Sequence, residues 1–183
     1  MKTKFTYALI IAFVVIVLQL VAFLLGFQTD KIDIPAATIF GWAAWLLGLV
    51  VLFMAVWFGL RTVRDEKPDR SLTYGQGVAA GVIIVLIAAA ICAVYMFLHY
   101  SFLNPNFAEN VIGAARLKWT AMGMNDDQMN MAEKLLRVTT HPAIMAVMEF
   151  IGKTIMGVIV SLIAAAIVKR NPQPAAQMPP PLA

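Results

Sequence analysis

At 183 residues, 61% hydrophobic and only 13% charged, with a mean hydropathy of +0.81, the chain is built for lipid rather than water. Its formal charge of +4 comes from 14 Lys and Arg against 10 Asp and Glu, and the basic residues cluster at the ends of apolar runs, which argues for membrane orientation and against nucleic acid as a partner. The single cysteine, Cys92, lies inside an apolar run, so an internal disulfide and a thiolate metal cluster are both excluded.

A membrane-spanning helix needs about 20 mostly apolar residues. Four stretches qualify, at about 5–27, 34–60, 74–103 and 143–168, and predict an all-α polytopic membrane protein: a bundle of four transmembrane helices in one domain, 1–170. The first stretch follows Lys2 and Lys4 as a signal peptide would. Its apolar run is too long for that, and "LLGFQTDK" offers no small-x-small cleavage site, so it reads as a retained anchor. The link to the second span holds Lys31 beside Asp30 and Asp33. Arg61, Arg64, Lys67 and Arg70 follow the second span, and Lys169 and Arg170 follow the fourth. By the positive-inside rule both termini face the cytoplasm. Trp57 and Trp42, 15 residues apart and so separated by about 22 Å along a helix, fall near the two interfaces of the second span, and Tyr74 and Tyr95 bracket the third.

Between the third and fourth spans, residues 104–141 carry acids and bases in balance and read as external. Asn104-Pro105 predicts a helix start, with Asn104 as the cap. Phe107, Val111, Ala115, Trp119 and Met122 recur at helical spacing, and Gly123 is a stop. Asn125 caps a second piece with Asp126 and Asp127 in its first turn and an apolar stripe of Met129, Ala132, Leu135 and Leu136. The expectation is an external amphipathic helical hairpin, a structural lid in preference to a recognition surface. Past Arg170, the tail "NPQPAAQMPPPLA" (171–183) is Pro-rich and expected to be disordered and cytoplasmic.

Small residues four apart recur in every span, as in Ala44/Gly48, Gly77/Gly81 and the series Gly157, Ser161, Ala165. Such seams let helices approach closely in lipid. They predict packing within the chain, and they also fit a homo-oligomer.

The fourth span carries Glu149 and Lys153, spaced i, i+4 so that they can pair. Measured from Lys169, Lys153 lies about 24 Å and Glu149 about 30 Å along the helix, against a hydrocarbon thickness of about 30 Å. The first reading is an interfacial pair ending the span; the second is the wall of a cavity or ion path. His99, one turn after Tyr95, and His141, at the start of the fourth span, stand at the same level. Together these five form a candidate polar cluster at the outer interface. His99, His141 and Glu149 are metal-ligand types, yet no i, i+4 His pair or H-E-x-x-H is present, so no metal site is expected. No P-loop, dinucleotide fingerprint or G-x-S-x-G occurs, and neither cofactor nor catalytic residue is expected.

"LTYGQG" opening the third span, "FLHYSFLNPNF" closing it, "AMGMNDDQMNMAEKL" outside and "GVIVSLIAAAIVKR" at the end together resemble the domain of unknown function 4199 family of bacterial inner-membrane proteins. The similarity runs over nearly the whole chain up to Arg170. It implies a four-helix inner-membrane protein of Gram-negative bacteria and brings no activity or catalytic residue with it. The functional expectation is a non-enzymatic accessory or scaffold subunit that contacts the lipid bilayer and packs against a larger membrane partner or copies of itself. The alternative is a small oligomeric transporter or channel, with Glu149, Lys153, His99 and Gln76 along a polar path.

Overall fold

A computed structural model describes residues 1–29 and 34–171. The acidic and basic residues of the first link (30–33) and the Pro-rich tail from 172 onward lie outside the described residues. Regular structure among the described residues is helical: α1 (Lys2–Leu24), α2 (Ile34–Asp65), α3 (Tyr74–Leu98), α4 (Phe107–Ala121), α5 (Asp126–Thr139) and α6 (Pro142–Val168). Four of these, α1, α2, α3 with its continuation, and α6, are long and apolar enough to cross a membrane.

Local chemistry sets the helix ends. α1 stops short of Phe27 because Gly26 takes a left-handed conformation (φ +80°), and the Phe27 N–H turns back to the Ala22 carbonyl while Gly26 N–H reaches Phe23. α2 runs past Leu60 to Asp65, three residues before Pro68, which cannot continue it. Thr73 and Gln76 form a reciprocal capping box that opens α3, each side chain bonded to the other's backbone N–H at 3.4 Å.

The closest helix pair is α3 with α6. A Cβ added at Gly77 would meet the Ala165 methyl at 3.0 Å, one at Gly81 would meet Ser161 Oγ at 2.6 Å, and one at Gly157 would meet Val85 Cγ1 at 2.0 Å. The small residues therefore let the two backbones come within side-chain-free distance, where dispersion contacts accumulate. The Ser161 hydroxyl is satisfied locally by the Gly157 carbonyl at 2.7 Å. Around this seam Ala8 and Ile11 of α1, Val56 and Leu60 of α2, Ile84 and Ala88 of α3 and Ala164 of α6 complete a buried core.

One end of the bundle gathers the N-terminus, the α2–α3 turn and the end of α6. Thr3 bonds Glu66, Tyr7 Oη lies 3.0 Å from Thr62 Oγ1, and Arg64 Nη1 reaches the Val168 carbonyl at 3.5 Å. Leu72 and Arg170 exchange two backbone hydrogen bonds of 2.8 and 2.9 Å, the one strand-like pairing among the described residues. Lys2, Lys4, the four bases of the α2–α3 region, Lys169 and Arg170 thus share one end.

The other end carries α4 and α5. Gly123 (φ +73°) closes α4 with Met124 N–H bonded to the Trp119 carbonyl, and Asn125 opens α5 through a capping box with Gln128. Arg116 pairs with Glu133, and Arg137 bridges Glu109 (2.5 Å) and Glu133 (3.0 Å). Hydrogen bonds from these guanidinium groups hold both carboxyls below the usual glutamate value and lift Arg137. The expected start of α4 at Asn104-Pro105 is corrected here. The helix begins at Phe107 with Asn106 as cap, because the Asn104 side chain donates to the Gln28 carbonyl at 3.1 Å and Pro105 lies in the intervening turn.

Candidate functional site

α3 ends in a single π-helical turn, His99–Leu103, closed by Asn104 N–H bonding the His99 carbonyl at 2.8 Å. Its extra residue per turn breaks the α-helical register. His99 and Tyr100, consecutive in sequence, both point inward and are both buried, their rings edge to face at 4.9 Å. His99 is fully enclosed. Tyr95 Oη lies 3.1 Å from its Nδ1 and Gln28 Oε1 lies 3.1 Å from its Nε2. Since an amide oxygen only accepts, Nε2 donates to it, and in the neutral ring Nδ1 then accepts from the phenol. The Gln28 carbonyl in turn accepts from Asn104 Nδ2 and from Asn110 Nδ2 at 3.3 Å. A residue just beyond the end of α1 is therefore gripped by the π turn, the residue that closes it and α4.

Beneath this knot lies a cavity of about 640 Å³, within the range of small-molecule sites. On α2 it is bordered by Ala37, Gly41, Ala44 and Gly48. Nothing lies within 4 Å of a Cβ built on Gly41 or Gly48, unlike the glycines of the α3–α6 seam. The same small-residue signal thus has opposite outcomes: it closes one interface, and along α2 it leaves room. Ala44/Gly48, expected to pack helices together, instead borders a cleft. Ile11, Leu52 and Met156 line the cleft where it meets the packed core. Gly41, Trp45 and Gly152 are exposed while lining it, so the cleft opens sideways between α2 and α6.

Its polar lining is sparse and specific. Glu149 Oε1 and Lys153 Nζ are paired at 2.9 Å, with side chains 22% and 15% exposed. Gln19 Nε2 donates to Tyr100 Oη at 2.5 Å, which leaves the phenol's own hydrogen to donate. Gln28 borders the same space. The arrangement is a pair of opposite charges set into a mostly apolar wall that also carries hydrogen-bonding groups.

The five residues expected as one polar cluster separate into three places. Glu149 and Lys153 line the cleft; Tyr95 and His99 form the buried knot with Gln28; His141 caps α6 at the surface, where its backbone conformation suits Pro142 at the first helical position. Among the described residues, no three His, Cys, Asp or Glu side chains converge as metal ligands. Gln76 belongs to the capping box at the far end of α3 and also accepts from Lys67 Nζ at 2.6 Å, about 34 Å along the helix from His99. Sequence reasoning missed Gln19, Gln28 and Tyr100.

Residues 6–170 match the family described as "Protein of unknown function (DUF4199)", and the chain belongs to that family. No curated protein and no solved structure matches the chain.

Proposed function

We propose that this chain is a non-enzymatic accessory protein of the bacterial inner membrane that holds an amphiphile in the cleft beside Glu149 and Lys153. Both termini face the cytoplasm in this reading. The eight basic residues gathered at one end support it, since cytoplasmic flanks are enriched in Lys and Arg. The α4–α5 pair then forms an external hairpin, tied to itself by the Arg116, Arg137, Glu109 and Glu133 network.

The observation that carries the reading is the ion pair lining a mostly apolar cavity that opens sideways. Intramembrane charges are costly and face the bundle interior where they have a role. An opening between two spans gives lipid-borne molecules a direct entrance. The buried layer of Val56, Leu60, Ile84 and Ala164 beyond the cleft speaks against a path through a single copy, so a transporter would need its path between copies.

The test is to fill the cleft from its own glycines. Gly48→Phe and Gly152→Phe project side chains into space where nothing now approaches a Cβ. Protein extracted with surrounding native lipid and analysed by native mass spectrometry is expected to carry one retained amphiphile in the wild type and none in either variant. Retention equal in all three would overturn the reading.

A further inference from the structure

The Glu149–Lys153 pair also says which kind of head group the cleft accepts. A purely anionic group approaching Lys153 draws the ammonium away from Glu149 and leaves that carboxylate unpaired in an apolar wall. A purely cationic group does the same to Lys153. Breaking a poorly solvated pair by serving only one partner is strongly unfavourable. A group carrying both signs on neighbouring atoms avoids this, because each protein charge exchanges its partner for another of the same sign and no net charge is added. The pair stands on one helix face at i, i+4 spacing, so its two charges present side by side to the cavity. Tyr100 also lines the cavity, and its hydroxyl, which accepts from Gln19, keeps a hydrogen to donate. The Ala37, Gly41, Ala44 and Gly48 side of α2 provides a smooth apolar channel for an attached chain.

We infer that the ligand is a zwitterionic amphiphile, with its anionic group (phosphate or carboxylate) held by Lys153, its ammonium held by Glu149, and its apolar chain lying along α2. This inference rests on the cleft being an amphiphile site.

The full-length protein in maltoside micelles is titrated with three amphiphiles of one chain length: a lysophosphatidylethanolamine, a lysophosphatidylglycerol and an alkyltrimethylammonium. Free phosphoethanolamine is the chainless control, and native mass spectrometry gives occupancy. The zwitterion is expected to bind about tenfold more tightly than either singly charged amphiphile, with no binding of phosphoethanolamine. The double variant Glu149→Gln with Lys153→Gln is expected to bind all three amphiphiles alike, at unchanged helicity. Equal affinities in the wild type would overturn the head-group assignment and leave the cleft reading standing. Binding of phosphoethanolamine as tight as the lipid would overturn the requirement for a chain. Failure of every amphiphile to bind would overturn both. The wild-type comparison decides by itself, so the outcome does not depend on the double variant folding.

Discussion

His99 and Gln28, 71 residues apart in sequence, are joined by a 3.1 Å hydrogen bond from the imidazole Nε2 to the amide oxygen. The same histidine accepts from Tyr95, and Phe23 packs edge to face against its ring at 5.5 Å. This contact fixes where α1 ends relative to the π turn. It thereby sets Gln28 and Tyr100, both of which line the cleft. Replacing His99 by leucine leaves the Gln28 amide oxygen and the Tyr95 hydroxyl without this partner in a buried setting. The expected loss is about 1–3 kcal/mol, read as a lowered unfolding temperature in detergent, with amide exchange rising first around 99–110. Unchanged stability would show that the knot is incidental.

The α3–α6 seam makes a sharper prediction because two glycines on one helix should behave differently. Gly157→Ala places a methyl 2.0 Å from Val85 Cγ1, so the helices must separate, at a cost of about 1–3 kcal/mol. Gly152→Ala meets nothing within 4 Å and should be neutral or slightly stabilising, since alanine is the better helix former. Val85→Ala added to Gly157→Ala should recover only part of the loss, since the Cβ that alanine keeps at 85 still lies 2.7 Å from the new methyl. Thermal unfolding of the four proteins in one detergent checks this, and equal effects at 152 and 157 would contradict the packing.

The network between α4 and α5 gives a pH dependence of definite sign. Glu109 and Glu133 are held below the usual glutamate value of about 4.3 by their hydrogen bonds to Arg137 and Arg116. Their contribution is complete above that value and disappears as pH falls through the lowered ones. Hydrogen exchange corrected for intrinsic rate should therefore show α5 losing protection in acid, while α3 and α6 keep theirs. Because Arg116, Arg137 and Glu109 are solvent-exposed, high salt at neutral pH should weaken the network in the same direction. Protection of α5 that is indifferent to both would remove the ion pairs from the account.

Orientation is testable with single cysteines in a Cys92→Ala background. Arg64→Cys should react with an impermeant maleimide only in inverted vesicles, and Asp126→Cys only in right-side-out cells. Reaction of both from the same side would contradict the assignment of the α4–α5 pair to the outside.

Hydropathy alone located four long apolar helices, because an unbroken run of about 20 apolar residues matches the thickness of a bilayer and exceeds what a soluble core helix needs. Capping was legible at Asn125 and Gly123, where the chemistry is local. Two things were not legible. The π turn depends on one extra residue per turn, which no periodicity of the neighbouring residues announces. The cleft depends on which glycines acquire neighbours, and Gly48 and Gly81 look alike in sequence although one faces a void and the other Ser161. The pairing of Glu149 with Lys153 followed from the helical spacing. Their role as a cavity wall required knowing that α2 stands off from α6 at that level, a relation between segments about 100 residues apart.

The most direct test of the central claim is a density map of the wild-type protein extracted with its native lipid. The account predicts an elongated feature between α2 and α6, its head within hydrogen-bonding distance of Glu149 and Lys153 and its tail beside Gly41 and Gly48. A cleft that is collapsed, with α2 packed against Gly152 and no density beside the ion pair, would contradict it.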